Sequence, residues 1–454
     1  MKWYAAGHDF GNAEVGSVVI VSKSEQRRHS MPTAFCRVDV NVINNLTNQE
    51  VQLQQKPEPK KGRGKAAKAP AKTSPQPQSK EAEACVIQFC GESIAYAVGD
   101  YALAQGKRIW TGRGDHLRYA TKHSVRGLIA NIAPRIPDKE FGLYVVTGLP
   151  GDLFMKHRDL RQAIKKELDG TYDFSIDGSE QRRCTVEVAT VVMEGAGALI
   201  AYADKTPVAK TAQCGVIDIG GGTTDLYAQR GSAPITEYCQ SERVGVETAA
   251  QILRQIFEQR YPNRALTDAE VREIMFAFAS GKAGEYPSLT YFGETVPVTE
   301  LQEMAEEAVD TTGAEITSFI ASAWREADGG ARFAPLVLIG GGYHYFLESV
   351  KKRIPHIVDL LEGEQEGQEL TELLLDPVYA NPTGYAILAA RLLAKKNKDE
   401  AEAAAAREQT TVSEGPANQQ TQEEGTFHAE HQADQKEMAA VAGVPESHDR
   451  YWNA

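Results

Sequence analysis

Residues 214–229 read CGVIDIGGGTTDLYAQ and hold the densest set of groups able to do chemistry in this 454-residue chain. The apolar run Val216-Ile217-Asp218-Ile219 has strand propensity; Gly220, Gly221 and Gly222 follow, and Thr223-Thr224-Asp225 leads into the alternating Leu226-Tyr227-Ala228. The pattern predicts a β-hairpin. Lacking Cβ atoms, its turn can take partly positive φ and bring peptide N–H groups close to a ligand, which suits an anion. The hydroxyls of Thr223 and Thr224 can donate to phosphate oxygens. Asp218 and Asp225 can hold hydrated Mg²⁺, a cation that prefers oxygen and keeps much of its water. A glycine turn without a ligand explains the same letters when such a motif stands alone.

This motif has company. Residues 3–21 read WYAAGHDFGNAEVGSVVIV: an apolar strand, the turn Asp9-Phe10-Gly11-Asn12, and a second apolar strand. Two such loops, about 200 residues apart, can clamp a polyphosphate from both sides, each offering N–H groups and a carboxylate. A third strand, residues 336–339, runs into Gly340-Gly341-Gly342-Tyr343.

The elements that must position these turns alternate in type. Apolar spacing predicts helices at 122–132 (Val125, Leu128, Ile129, Ile132), 153–168, 246–260, 299–325 and 346–354, and Thr267 with Glu270 forms a capping box for another. Strands are expected at 142–147 and 185–193, with a short pair at 289–292 and 295–298. Glu194-Gly195-Ala196-Gly197-Ala198 opens a helix of small residues. Residues 376–393 combine an Asn381-Pro382-Thr383-Gly384 turn with a small, apolar packing helix.

Apolar residues at 42% and charged residues at 24% are ordinary for a globular protein with room for two or three domains. A formal charge of −13 excludes a wholesale nucleic-acid-binding surface. The six cysteines (36, 85, 90, 184, 214, 239) contain no CxxC pair and read as reduced thiols. No apolar run reaches the roughly 18 residues of a membrane span, and residues 1–4 lead straight into a strand, so a cytoplasmic protein without membrane contact is expected.

Two segments break the core pattern. Residues 56–80 carry seven lysines and Arg63 against Glu58 alone, with five prolines, and are expected to be a disordered insertion spanning about 53–83. Weak contact with DNA or an acidic partner and a merely solvated loop both remain open for it. Residues 396–454 read as a disordered acidic tail, with 401–406 able to prolong the preceding helix; it ends in Tyr451 and Trp452, for which a docking peptide is one reading.

The three glycine-ended strands, DFGN at 9–12, DIGGGTTD at 218–225 and IGGGY at 339–343, resemble the phosphate-1, phosphate-2 and adenosine motifs of the actin-like ATPases. With VGDYA at 98–102, VVTGLP at 145–150 and the strand that ends at Glu194, the chain is most similar to ParM-type bacterial and plasmid actins over residues 1–395. The resemblance implies an α/β, two-domain actin-like (ribonuclease H-like) fold with nucleotide in the inter-domain cleft. Its division would be 1–203, then 204–380, with a helix at 381–395 packing back on the first domain. The implied cofactors are ATP or ADP with Mg²⁺. Asp9 and Asp218 would hold the metal, largely through water. Gly11 and Asn12, with Gly220, Gly221, Gly222, Thr223 and Thr224, would bind phosphates, and Glu194 would place the attacking water. Without the other motifs, Glu194 reads equally as an acid favoured by a helix N-terminus. Gly340, Gly341, Gly342 and Tyr343 would take adenine and ribose, joined by Arg272 and Glu273. His8 departs from the family pattern and is expected to be packed.

The activity implied is ATP hydrolysis coupled to polymerisation, the partners being further copies of the chain and a DNA-bound adaptor in plasmid segregation. A small-molecule kinase of the same superfamily is the alternative. A chaperone ATPase is disfavoured, since the residues after 395 cannot form a substrate-binding β-domain.

Overall fold

The computed structural model describes residues 1–39, 86–105, 108–112, 114–361 and 375–413. The basic segment 56–80, Cys85 and the tail beyond 413 lie outside these residues.

Alternating apolar residues build a nine-stranded sheet from β1 (Lys2–Phe10), β2 (Glu14–Ser22), β3 (Glu25–Pro32), β4 (Phe35–Val38), β5 (Val86–Phe89), β6 (Ala95–Val98), β7 (Glu140–Leu149), β8 (Gly170–Ile176) and β9 (Arg182–Met193). Their order is β3-β2-β1-β7-β9-β8-β5-β6-β4. The β1–β2 hairpin is antiparallel, while β1, β7 and β9 run parallel through the centre. Both faces of this centre are buried, which explains the nearly continuous apolar run of β7.

Alternation along β1 sorts its side chains. Tyr4, Ala6 and Phe10 join the core beneath α1 (Lys122–Ile132), with Val125, Leu128 and Ile129. Ala5 joins Val146 on the other face and packs against Tyr385, Leu388 and Ala389. The expected helix at 153–168 is two helices, Gly151–Lys156 and α2 (Arg158–Leu168), because His157 leaves helical dihedrals at φ −119°, ψ 71°.

After α3 (Ala196–Lys205), a second sheet forms from β10 (Gln213–Ile219), β11 (Thr224–Arg230), β12 (Ala233–Pro234), β13 (Gln240–Glu242) and β16 (Leu336–Ile339), while β14 (Thr290–Tyr291) and β15 (Glu294–Thr295) make a separate hairpin. Here β10 and β11 repeat the arrangement of β1 and β2, and β16 lies parallel to β10. Ile217 and Ile219 face a core built with α4 (Val246–Arg260), α5 (Asp268–Ser280), α6 (Val298–Ala323) and α7 (Tyr343–Lys351). Val216, Tyr227, Val337 and Ile339 point the opposite way and share one cluster with Ala198 and Leu199 of α3. The first core thus runs continuously from one sheet to the other.

The last element, α8 (Ala380–Ser413), crosses the first sheet over β1 and β7 and lies against α3. Two expectations are corrected here. Asn381-Pro382-Thr383-Gly384 is the first turn of this helix, where proline is tolerated because its missing N–H would be unpaired anyway. Residues 396–413 continue the helix instead of opening a disordered tail. Four cysteines are buried thiols and Cys90 is exposed. Among the described residues, no helix is long and apolar enough to cross a membrane.

Candidate functional site

The two sheets bring their glycine turns together. Asp9 pairs with Gly16 beside the β1–β2 turn. Asp218 pairs with Asp225 across β10–β11 and lies beside Ile339 of β16. The turns themselves touch: a Cβ on Gly222 would lie 4.0 Å from Asn12 Nδ2, and Gly221 sits against Ala13. Within the second turn, the Gly220 N–H donates to the Thr223 carbonyl at 2.8 Å. The carbonyls of Gly220 and Gly221 accept the first N–H groups of α4, from Val246 at 3.2 Å and Glu247 at 2.7 Å. The N–H groups of Gly221 and Gly222 find no acceptor among the described residues, which leaves a pair of donors free for an anion.

The threonines behave differently from one another. Thr223 donates its hydroxyl to Asp225 Oδ2 at 2.8 Å. Thr224 is fully buried and donates to the Val244 carbonyl at 2.8 Å, so the expectation that it faces phosphate is corrected: strand alternation turns it into the core. Asp225 is buried and also accepts from the Ser241 hydroxyl.

Glu194 follows β9, where its N–H donates to the Leu149 carbonyl at 2.8 Å and Gly195, at φ +88°, swings the chain into α3. Gly148 makes room for its side chain. A Cβ on Gly148 would stand 3.1 Å from Glu194 Cγ and 2.1 Å from the Tyr385 hydroxyl, a buried group with no hydrogen-bond partner.

Asp9, Glu194, Asp218 and Asp225 form one electrostatic group. Burial is the main cause of a shift in each, since a charged carboxylate loses hydration there. Glu194 is held well above the ordinary carboxylate range by burial and then by Asp9, Asp225 and Asp218, with Arg118 opposing. Asp218 is raised by burial, Asp225 and Asp9 against the hydrogen bond from Asn381. Asp9 is pushed up to about 6 by burial, with Arg118 opposing and Asp225 adding to it. Burial raises Asp225 too, against its Ser241 and Thr223 bonds. His8, next to Asp9, is buried, bonded through Nδ1 to Ser17 Oγ at 2.9 Å and pulled down to about 3 by burial. It is a packed neutral ring, as expected.

Two residues of this group carry no glycine motif and were missed. Arg118, on the 3₁₀ helix His116–Ala120, is only 5% exposed. Its guanidinium lies 4.2 Å over the Tyr119 ring, and that ring packs at 6.5 Å on Phe10, the neighbour of Asp9. Arg118 Nε has no partner. Asn381, at the start of α8, donates from Nδ2 to Asp218 Oδ2 at 2.7 Å. No local spacing announces either one, because each meets the site only through the tertiary fold.

The third glycine motif packs onto the second. Gly340 has φ +88°, and a Cβ there would lie 2.5 Å from both Asp218 Oδ1 and the Ile219 carbonyl. The Gly342 N–H donates to the Ile219 carbonyl at 2.7 Å, while a Cβ on Gly341 would meet nothing within 4 Å. Tyr343 is 1% exposed and donates its hydroxyl to Asp359 in the second core, which removes it from the expected adenosine pocket. Arg272 and Glu273 are exposed on α5, with no hydrogen bond to the turns among the described residues.

The donor set fits a metal–polyphosphate better than either part alone. Four carboxylates in mutual repulsion want a cation, and the free glycine N–H groups beside them want an anion. Among the described residues, no three His, Cys, Asp or Glu side chains form a direct metal cage. A largely hydrated Mg²⁺ needs none.

Residues 7–197 match the family model described as the N-terminal domain of actin-like proteins. An archaeal actin homologue aligns at TM-score 0.58 with 17% identity, covering 86% of this chain and 99% of that one. A 15-stranded ParM filament from Clostridium botulinum gives TM-score 0.58 and 17% identity over 86% of this chain and 100% of that one. Bacillus thuringiensis ParM with AMPPNP gives 0.54 and 14% over 85% and 98%. Sequence comparison with curated proteins finds no match. With its three glycine motifs assembled on two joined sheets, the chain has an actin-like fold, and its residues 7–197 match the N-terminal domain of the actin-like proteins.

Proposed function

We propose that this protein binds Mg–ATP between its two glycine hairpins, hydrolyses it slowly, and assembles head to tail into filaments that serve DNA segregation in the cytoplasm. The observation that carries the reading is the meeting of the two turns around Asp9, Asp218 and Glu194. Bound Mg–ATP would supply an electrophilic γ-phosphoryl group. Asp9 and Asp218 would hold metal-bound water, and Gly221 and Gly222, with Gly11 and Asn12 opposite, would donate N–H groups to phosphate oxygens. Thr223, bonded to Asp225, would border this cradle, and Gly340, Gly341 and Gly342 would leave space for the nucleoside. Glu194, at the end of β9 beside Asp9 and Asp218, would orient a water and take its proton once a bound cation offsets the neighbouring carboxylates and favours its ionised form. Arg118 would put positive charge beside the phosphates.

Self-assembly is supported by the likeness to the Clostridium botulinum ParM filament, and nucleotide binding by the likeness to proteins solved with ADP and AMPPNP. A DNA-bound adaptor, and weak DNA contact through residues 56–80, belong to the same proposal. The loop contact should weaken steeply as salt rises.

The test is light scattering and pelleting at micromolar protein with Mg–AMPPNP, with phosphate release followed in parallel under Mg–ATP. Polymer with the analogue and slow phosphate release, abolished by Glu194→Gln without loss of assembly, is the expected result. No polymer, together with ADP release stimulated by a small hydroxylated metabolite, would establish the kinase alternative.

A further inference from the structure

We infer that Asn381 is a positioning residue that locks the metal-side carboxylate of the second domain to the helix start behind Glu194 in the first, a role that rests on the nucleotide-hydrolysis reading above.

Its side-chain amide sits where three elements meet and is 3% exposed. Oδ1 accepts the N–H of Gly195 at 3.1 Å and of Ala198 at 3.2 Å, the first turn of α3 immediately after Glu194. Two N–H donors fix the orientation of the amide, so Nδ2 must face Asp218, to which it donates at 2.7 Å. A helix start leaves its first N–H groups unpaired, and here a side chain from another helix caps them. Capping from a distance allows the cap's second group to reach across to Asp218.

The surrounding packing holds this crosspiece still. A Cβ on Gly384 would stand 1.7 Å from the Gly197 carbonyl, and one on Gly197 would stand 2.5 Å from the Asn381 carbonyl, so α8 and α3 touch backbone to backbone. On the other side of α8, a Cβ on Gly7, two residues before Asp9, would lie 1.9 Å from the Pro382 carbonyl. Tyr385, one turn after Asn381, places its unpartnered hydroxyl above Gly148, beside Glu194. The first turns of α8 therefore face Asp9, Glu194 and Asp218 together. Among the described residues, Asn381 is the one side chain bonded across the domains to two of the three neighbourhoods.

A residue that only fixes distances between catalytic groups changes turnover more than affinity. Asn381→Ala should lower kcat about 10- to 100-fold while KM for Mg–ATP stays within about threefold, the range typical of groups that orient ligating side chains. A stability arm isolates the bond itself. Asn381→Asp keeps the acceptor for Gly195 and Ala198 but turns the donor toward Asp218 into a second carboxylate, and should lower Tm at pH 8 by at least about 3 °C. The double variant Asp218→Asn with Asn381→Asp restores one donor and one acceptor with the roles exchanged, and should recover that loss without recovering hydrolysis. Turnover of Asn381→Ala equal to wild type, or no recovery of Tm in the double variant, overturns the inference. If the wild-type chain releases no phosphate from Mg–ATP, the functional reading fails instead, and the inference with it.

Discussion

Gly221 of the second hairpin faces Ala13 of the first so closely that a methyl group added to Gly221 would stand 2.5 Å from the Ala13 Cβ. Each residue sits at the tip of its own sheet's hairpin, so this contact sets how near the two sheets' turns come to one another.

Gly221→Ala should therefore force the turns apart. Overpacking of this kind costs on the order of 1–3 kcal/mol. Nucleotide held from both sides should lose about tenfold or more in affinity, measured with a fluorescent ATP analogue. Gly284→Ala is the matched control, since a Cβ there meets nothing within 4 Å and the residue lies outside the three glycine motifs. Equal affinity in both variants would show that the turns do not hold the ligand together.

Arg118 tests the charge balance of the site. The turn sequences Gly11-Asn12-Ala13 and Gly220-Gly221-Gly222-Thr223 contain no cation, whereas Arg118 acts on Asp9, Glu194 and Asp225 from a buried position. Arg118→Met keeps much of the apolar stem and removes the charge. Affinity for AMPPNP should fall about 10-fold more than affinity for ADP, because the lost partner is the terminal phosphate, and Arg118→Lys should restore part of the difference. An equal loss for both nucleotides would assign Arg118 to folding alone.

Much of this arrangement was legible because it is local. Three glycine-ended strands, the 246–260 helix and the Thr267–Glu270 cap each declare themselves within a few residues, and the structure places helix Val246–Arg260 and the Glu270 N–H to Thr267 Oγ1 bond where the pattern put them. Arg118 and Asn381 were not legible, since a buried arginine or a remote helix cap acquires meaning only when distant segments meet. The extension of α8 to Ser413 was legible only at 401–406, because elsewhere polarity was weighed above propensity: residues 399–407 are mostly alanine and glutamate, good helix formers even without a core to cover.

Asp9 gives the site a pH signature. Its folded-state pKa near 6 lies above the ordinary carboxylate value of about 4. Between those values the folded chain keeps a proton that the unfolded chain has released, so this group lowers stability progressively as pH rises from about 4 to 6 and fully above that. Asp9→Asn removes the effect. The nucleotide-free variant should gain on wild type across that window, by on the order of 3 kcal/mol at most, then run parallel to it. Thermal melts at pH 4.5, 5.5, 6.5 and 7.5 measure this, and a constant difference would falsify it.

Tyr343 was expected to line an adenosine pocket. The sequence places it directly after three glycines, where an aromatic ring could stack on a base. The structure turns it into the second core, where its hydroxyl donates to Asp359, and the Lys351 Nζ reaches the same carboxylate at 2.6 Å. Removing the hydroxyl leaves the ring in place and deprives a largely buried carboxylate of one donor, which costs about 1–2 kcal/mol. Tyr343→Phe should therefore lower the unfolding free energy by that amount in urea titration while leaving ATP and ADP affinities unchanged. A nucleotide affinity that drops with stability unaltered would return Tyr343 to the ligand pocket and displace Gly340 and Gly342 as the residues that shape this end of the cleft.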